Sequence, residues 1–480
     1  MVMDAGHSCN VYLSFFPSFI FCLFTYLSLY LLAYRAQTMT ERSSLINKPD
    51  KDSSTDEEAI LELQSTDVDS SSDDDANGNK LTPYPSKAKI STWKATISIA
   101  SYTLGVGMLA MPYAVAQGGI TAILLLFIIP FIYWYANKVI VECLYDQDKG
   151  RRARVRTNWK GIGELLAPKY GGCIVIFLQN FILFIVSTSY LILCGSLMVH
   201  ILPSLPINQA LWTCIAAILV SPTALFKSYS QIAWMNLFSI VSLFATVAVT
   251  VWQSLEHVDQ WDLTSILFWD NQGVLMSLGI LLYSYAFFEL TPSIEDSMEN
   301  RAQFGDAMAW ALLIAASVNV PFSLCAFLWF GFNTDGIVVN NLPPGPVHIS
   351  IVIGFLISFL FSYSLPLQPA FLLLEDSETF ANLSTKFSHS LCYVVLRISV
   401  VCFTLILAVL IPHFALMSFF DGSFISPFLA FIIPCMVFFK LRRHQLNACQ
   451  ITALSFLFVF GVIVVFFSIF LVLFKAVASF

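Results

Sequence analysis

Long runs of apolar residues constrain this chain before anything else does. About twenty such residues cross the hydrocarbon of a bilayer as a helix. About eleven runs of this kind can be marked, over residues 91–117, 119–144, 171–202, 208–225, 232–252, 272–290, 307–332, 348–374, 391–411, 424–439 and 450–474. Backbone groups in lipid must find partners inside their own segment, so these runs predict helices and an all-α polytopic membrane protein. The composition agrees, since 57% of the 480 residues are hydrophobic and 11% charged, against roughly 25% charged in a soluble domain. Nucleic-acid binding has no support, and no Walker pattern points to ATP. The 11 cysteines are scattered without metal-like pairing, so neither a disulfide framework, nor a metal site, nor a cofactor is expected.

Lys and Arg accumulate on the cytoplasmic side of membrane proteins. The loop after the second run holds Lys149, Arg151, Arg152, Arg154, Arg156, Lys160 and Lys169, and later alternate loops hold Lys227, Arg301, Lys386, Lys440, Arg442 and Arg443. The opposite loops, 203–207, 253–271, 333–347 and 412–423, contain neither residue. This predicts a cytosolic start to the core, and it places the sequon at Asn382 in the cytosol, where no glycan is expected.

The first run carries Gly105, Gly107 and Pro112. Glycine frees the backbone and proline removes a donor, so the helix is predicted to unwind near Gly105 to Leu109. Unwound backbone at membrane depth lines a cavity or a site, or else the small residues only allow close packing. In secondary transporters such breaks hold the substrate between half-helix amides and free carbonyls. If the first ten core helices are two inverted repeats of five, the sixth should break at matching depth. Its stretch LLYSYAFFELTP, at 281–292, supplies Tyr283, Ser284, Tyr285 and Glu289. Glu289 is the only acid well inside an expected span, and an intramembrane acid is a candidate for proton coupling. About one turn from Pro292, it could equally reach the headgroup region.

The eighth helix holds Ser362, Ser364, Pro366 and Pro369. Its hydroxyls could face the first break or merely accompany a kink. His413 would titrate near the acidity of an organelle lumen, which makes it a second proton candidate beside a packing role. A membrane-embedded enzyme using His413 with Asp421 lacks any further catalytic constellation.

The string GVGMLAMPYAVAQGG, at 105–119, resembles the first-helix signature of the amino acid/auxin permease family, in particular its vesicular inhibitory amino acid and vacuolar branch. LPSLP at 202–206, PSIEDSM at 292–298, NNLPPG at 340–345, SYSLPLQP at 362–369 and IPHFALM at 411–417 follow in family order. The resemblance implies a LeuT/APC-like inverted 5+5 repeat with broken helices 1 and 6. It also implies a substrate pocket between them, here at Ser101, Gly105, Val106, Gly107, Met108, Tyr283, Ser284 and Tyr285. Glu295 and Glu375 match family acids; Glu295 is expected at a cytosolic gate, pairing with Arg301, and Glu375, at the end of the eighth helix, at a gate or at the membrane interface. Ser101 stands where many members have asparagine, which bears on cation coordination there. The implied function is proton-coupled exchange of a small neutral amino acid such as GABA or glycine into acidic vesicles. The alternatives are a vacuolar or lysosomal transporter of broader specificity and an amino-acid-sensing receptor that signals through its acidic tail.

Residues 1–38 include an apolar stretch that is not a family feature. They read as an extra anchor or as an extension upstream of a start at Met39. Residues 39–90 are rich in Ser, Asp and Glu, too polar to bury surface, and are expected to form a disordered cytosolic tail. Within it Glu41, Leu45 and Ile46 have the spacing of an acidic dileucine signal, an address for a clathrin adaptor. The transporter core is expected over 91–475.

Overall fold

The computed structural model describes residues 89–148, 151–202, 205–226, 229–261, 271–443 and 445–478. The N-terminal extension, nearly all of the acidic segment, and Glu41, Leu45 and Ile46 lie outside the described residues.

Among the described residues nine helices are long and apolar enough to cross a membrane. The first of them, Thr92–Leu144, has 53 residues. An unbroken helix of that length would measure about 80 Å, far beyond a hydrocarbon core of about 30 Å. Two interruptions divide it. α1 (Thr92–Thr103) gives way to a 3₁₀ turn (Val106–Ala110) before α2 (Met111–Leu144), and within α2 Gly119 takes φ 53°, ψ −136°. That left-handed residue turns the chain between the first two expected spans, and glycine adopts it without a Cβ clash.

The loop expected after Leu144 is more ordered than its charge suggested. Strands β1 (Tyr145–Asp148) and β2 (Arg151–Arg154) pair antiparallel, with Tyr145 opposite Arg154. A short helix, α3 (Trp159–Leu166), follows, capped by the Asn158 side chain on the Gly161 amide. Asp146 takes Arg156 in a two-pronged pair at 3.0 and 2.9 Å. Of the basic residues of this loop, Arg154 and Arg156 are thus held by acids, whereas Lys160 is half-buried and Lys169 stays exposed.

Next come α4 (Gly171–Ile201), the shorter α5 (Gln209–Ala224) and α6 (Tyr229–Glu256). α7 (Asn271–Tyr285) is followed by a 3₁₀ turn (Phe288–Leu290) and α8 (Thr291–Ser297), so the sixth expected span is broken as well. Beyond it lie α9 (Phe304–Phe330), α10 (Pro346–Ser362) and α11 (Ser364–Glu375), the last two joined at Tyr363, which keeps helical dihedrals, into one span. α12 (Glu378–Lys386) lies in a loop ahead of α13 (His389–Leu410).

The tenth span departs from expectation. Asp421 and Gly422 suggested a loop, with the helix beginning at residue 424. Instead the helix starts at α14 (Phe414–Phe420) and runs through two π turns, Asp421–Ile425 and Phe428–Ile432, into α15 (Ile433–Arg442). The aromatic run Phe414 to Phe420 buries well enough to carry helix past the acid. α16 (Ala448–Ala478) ends the bundle. In the core α7 lies along α2, α10 along α6, and α1 against α6 and α9.

Candidate functional site

The first break is built from three local choices. Leu104 still donates to Ala100 at 2.9 Å, Gly105 then turns out of the helix at ψ −131°, and a new helix start follows. A helix start leaves its first amides without internal partners, and here they belong to Val106 and Gly107. Pro112 sits in the first turn of α2, where its missing N–H costs no hydrogen bond. In the second break Ala286 and Phe287 leave the helix, Phe287 at φ −155°.

The two breaks touch. Ser284 Oγ donates to the Gly107 carbonyl at 2.9 Å or to the Ile280 carbonyl at 2.8 Å. A Cβ on Gly107 would stand 2.5 Å from Ser284 Cα, so only glycine admits this approach. From α1, the Tyr102 hydroxyl donates to Glu289 Oε1, and from α4, Gln179 Nε2 donates to the Glu289 carbonyl at 2.8 Å. Glu289 lies inside the break and is wholly buried. With its carboxyl wholly buried and bonded to Tyr102, the acid does not reach the surface in this structure. Below the acid, Thr291 Oγ1 donates to Asn137 Oδ1 at 2.6 Å, which fixes the start of α8 to α2.

Ser101 turns its hydroxyl to α6 and α10. It meets Ser362 Oγ at 3.1 Å and Ser239 Oγ at 3.4 Å, while Ser239 meets Ser358 and Ser362, each at 2.7 Å. This hydroxyl ladder joins α1, α6 and α10. Ser364 is buried but makes none of these bonds. Tyr283 lies edge-on to Phe414, and its hydroxyl turns toward Ser189, while Tyr285 turns toward Asn319. Val106 and Met108 are buried in the 3₁₀ turn. His413 is exposed at the start of α14 and takes no part in the described contacts of the breaks.

The expected pairing of Glu295 with Arg301 is not what forms. Glu295 is buried and pairs with Arg154 of β2 at 2.9 Å, with the Tyr145 hydroxyl on its other oxygen. Arg301 instead takes Asp296 at 2.9 Å. The chain leaves helix at Met298, so Arg301 lies outside while Glu295 points inward to the hairpin. Arg154 also reaches Asp296 and the Pro292 carbonyl. Beside this clasp, Ile90 is stitched to the end of α8 by its amide on Ser297 O at 2.8 Å and its carbonyl on the Glu299 amide at 2.9 Å. Glu375 belongs to a separate strut. It takes Arg397 Nε at 2.9 Å, and that buried guanidinium donates to the Ala224 and Phe226 carbonyls and lies over Phe371 and Tyr393.

Three groups escaped the sequence reading. Tyr190 of α4 points its hydroxyl at Gly105, only 2.5 Å from where a Cβ would be. Tyr102 holds Glu289. Asp421 is wholly buried within another span, and Glu295 is buried near the end of the same span as Glu289, which corrects the expectation that Glu289 is alone. The polar run Ser187 to Tyr190 inside a 31-residue apolar helix was the available signal for the first. Asp421 carried no such signal because it read as loop.

A bundle of membrane-length helices in which two broken helices meet backbone to side chain has the architecture of the LeuT fold. The solved structure of MhsT in complex with L-phenylalanine superposes over 82% of this chain and 100% of its own, with a TM-score of 0.51 at 12% sequence identity, and so shows the fold. The chain belongs to the transmembrane amino acid transporter protein family, whose pattern matches residues 88–474. Among its relatives, the vesicular inhibitory amino acid transporter of Xenopus tropicalis is 28% identical over 408 residues, covering 82% of this chain and 78% of that one. The vesicular GABA transporter of Caenorhabditis elegans is 25% identical over 385 residues, covering 78% and 76%. The family and these relatives are transporters, not enzymes, and amino acid transport across a membrane is the activity they share with this multi-pass chain.

Proposed function

We propose that the chain is a proton-coupled antiporter that loads small neutral amino acids, GABA and glycine among them, into acidic vesicles. The observation that carries this reading is Glu289, a buried carboxylate placed in the second break and bonded to Tyr102 beside the first. The names of the relatives favour the substrates and the vesicle. The substrate's carboxylate meets the amides of Val106 and Gly107 near the Tyr190 hydroxyl, and its ammonium meets carbonyls freed where the two helices unwind. The basic loops put the entry mouth, with its Arg154 clasp, in the cytosol. A proton leaving the lumen supplies about 1.4 kcal/mol per pH unit, and a membrane potential adds about 2.3 kcal/mol per charge for each 100 mV. Together these support more than about tenfold accumulation. The N-terminal signal at Glu41, Leu45 and Ile46 would bring a clathrin adaptor to the protein and direct it to such vesicles.

The test is uptake of a labelled amino acid panel into proton-pumping vesicles. GABA and glycine uptake that collapses with a proton ionophore is expected. Uptake of neither, or uptake indifferent to the ionophore, would remove the proposal.

A further inference from the structure

We propose that Asp421 is a second proton carrier of the transport cycle, acting with Glu289 across the second break. This rests on the proton-coupled reading above and adds a group to it. Asp421 is wholly buried, and neither carboxylate oxygen makes a hydrogen bond of normal geometry, although the Ser426 hydroxyl stands close enough to act on it.

Its backbone is equally unusual. Asp421 opens the first of two π turns, and such turns are rare and gather at functional sites, because the extra residue redirects the side chains around it. Here the wide turn seats Gly422 directly on α7, where a Cβ would overlap the Gly279 carbonyl and come within 2.8 Å of the Tyr283 amide. The acid is therefore held rigidly against the helix that breaks just beyond Tyr285.

The charged and titratable groups that act on Asp421 are Glu289 and the phenols of Tyr133 and Tyr283. Each of these tyrosines also feels Glu289. Tyr133 stacks on Phe288, the residue before Glu289, and donates to the Leu282 carbonyl at 2.9 Å. Among the described residues neither acid forms an ion pair with a cation. Both carboxyls are wholly buried in an apolar bundle, where ionising the two together is costly. A change at the second break that opened first one of the two and then the other to water would make the pair a proton carrier.

The experiment uses the full chain in proteoliposomes with labelled GABA and glycine, comparing wild type with Asp421→Asn. Uptake driven by an acid interior should fall about tenfold or more, exchange at symmetric pH should fall less than about threefold, and the pH profile of uptake should lose one limb. Asp421→Glu, which still titrates, should recover gradient-driven uptake. An Asp421→Asn protein with the wild-type pH profile overturns the inference. Should that variant fail to fold, the wild-type protein can be treated with dicyclohexylcarbodiimide, which attacks protonated carboxyls in apolar surroundings. Peptide mapping should then find an adduct on Asp421 that diminishes as pH rises, and an adduct on Glu289 alone overturns the inference. Wild-type uptake that ignores an ionophore is a different result, because it defeats the proton-coupled reading itself.

Discussion

Gly107 is the residue at which sequence and geometry agree most closely. Its lack of a side chain lets the backbone of the first break lie on Ser284, and even one methyl group would force the breaks apart. Misplacing a site by about 1 Å can cost about a hundredfold in rate, so Gly107→Ala should lose uptake on that scale while still reaching the membrane. Labelled uptake normalised to protein in isolated vesicles checks this. Glu289→Gln separates two roles by chemistry, since the amide keeps the shape and the Tyr102 contact but cannot titrate. Gradient-driven uptake should fall at least about tenfold with exchange largely kept, and equal survival of both would make Glu289 a structural group. Glycine and proline in an apolar run were enough to place the first break, because their backbone effects are local. The tyrosine contacts were not legible, because an aromatic in a membrane helix has the same composition whether it meets lipid, core or carboxylate.

Among the elements, the β-hairpin and α8 form the one charged junction that the sequence misassigned. Arg301 is nearer to Glu295 along the chain, but Arg154 reaches it through the fold, and pairing across such a separation leaves no periodic trace. Removing one partner of a buried ion pair strands the other, at a cost of about 3–5 kcal/mol. Arg154→Ala should therefore lower the thermal unfolding midpoint of the purified protein, and adding Glu295→Gln should restore part of the loss. If the single variant unfolds at the wild-type temperature, the clasp contributes no net stability. The tenth helix offers the complementary lesson. An Asp-Gly pair is an ordinary loop signal, and here the helix runs through it behind the buried Phe414, Phe419 and Phe420.

At the scale of the whole molecule the spans were legible because hydrocarbon leaves the backbone no other way to satisfy its hydrogen bonds, and their ends shifted by only a few residues at most positions. Address and activity are predicted to separate. Leu45→Ala with Ile46→Ala should move the protein to the cell surface, and surface biotinylation set beside vesicle uptake would register it. Unchanged localisation would dismiss the signal, whereas loss of uptake per molecule would tie that segment to the core.

On the proposed reading an incoming ammonium group would seek the Gly107 carbonyl, which the Ser284 hydroxyl can reach with the Ile280 carbonyl as its other acceptor. A substrate arriving there would let the serine turn to Ile280, so one hydrogen bond would replace another and the net gain would be the small difference between them. Tight binding would be surrendered at this point. Departure would be correspondingly easy, since the serine could reclaim the carbonyl as the cargo left and the unwound backbone would never be left bare. For a carrier judged by how often it turns over, a site that closes on itself is an advantage that strong affinity could not provide.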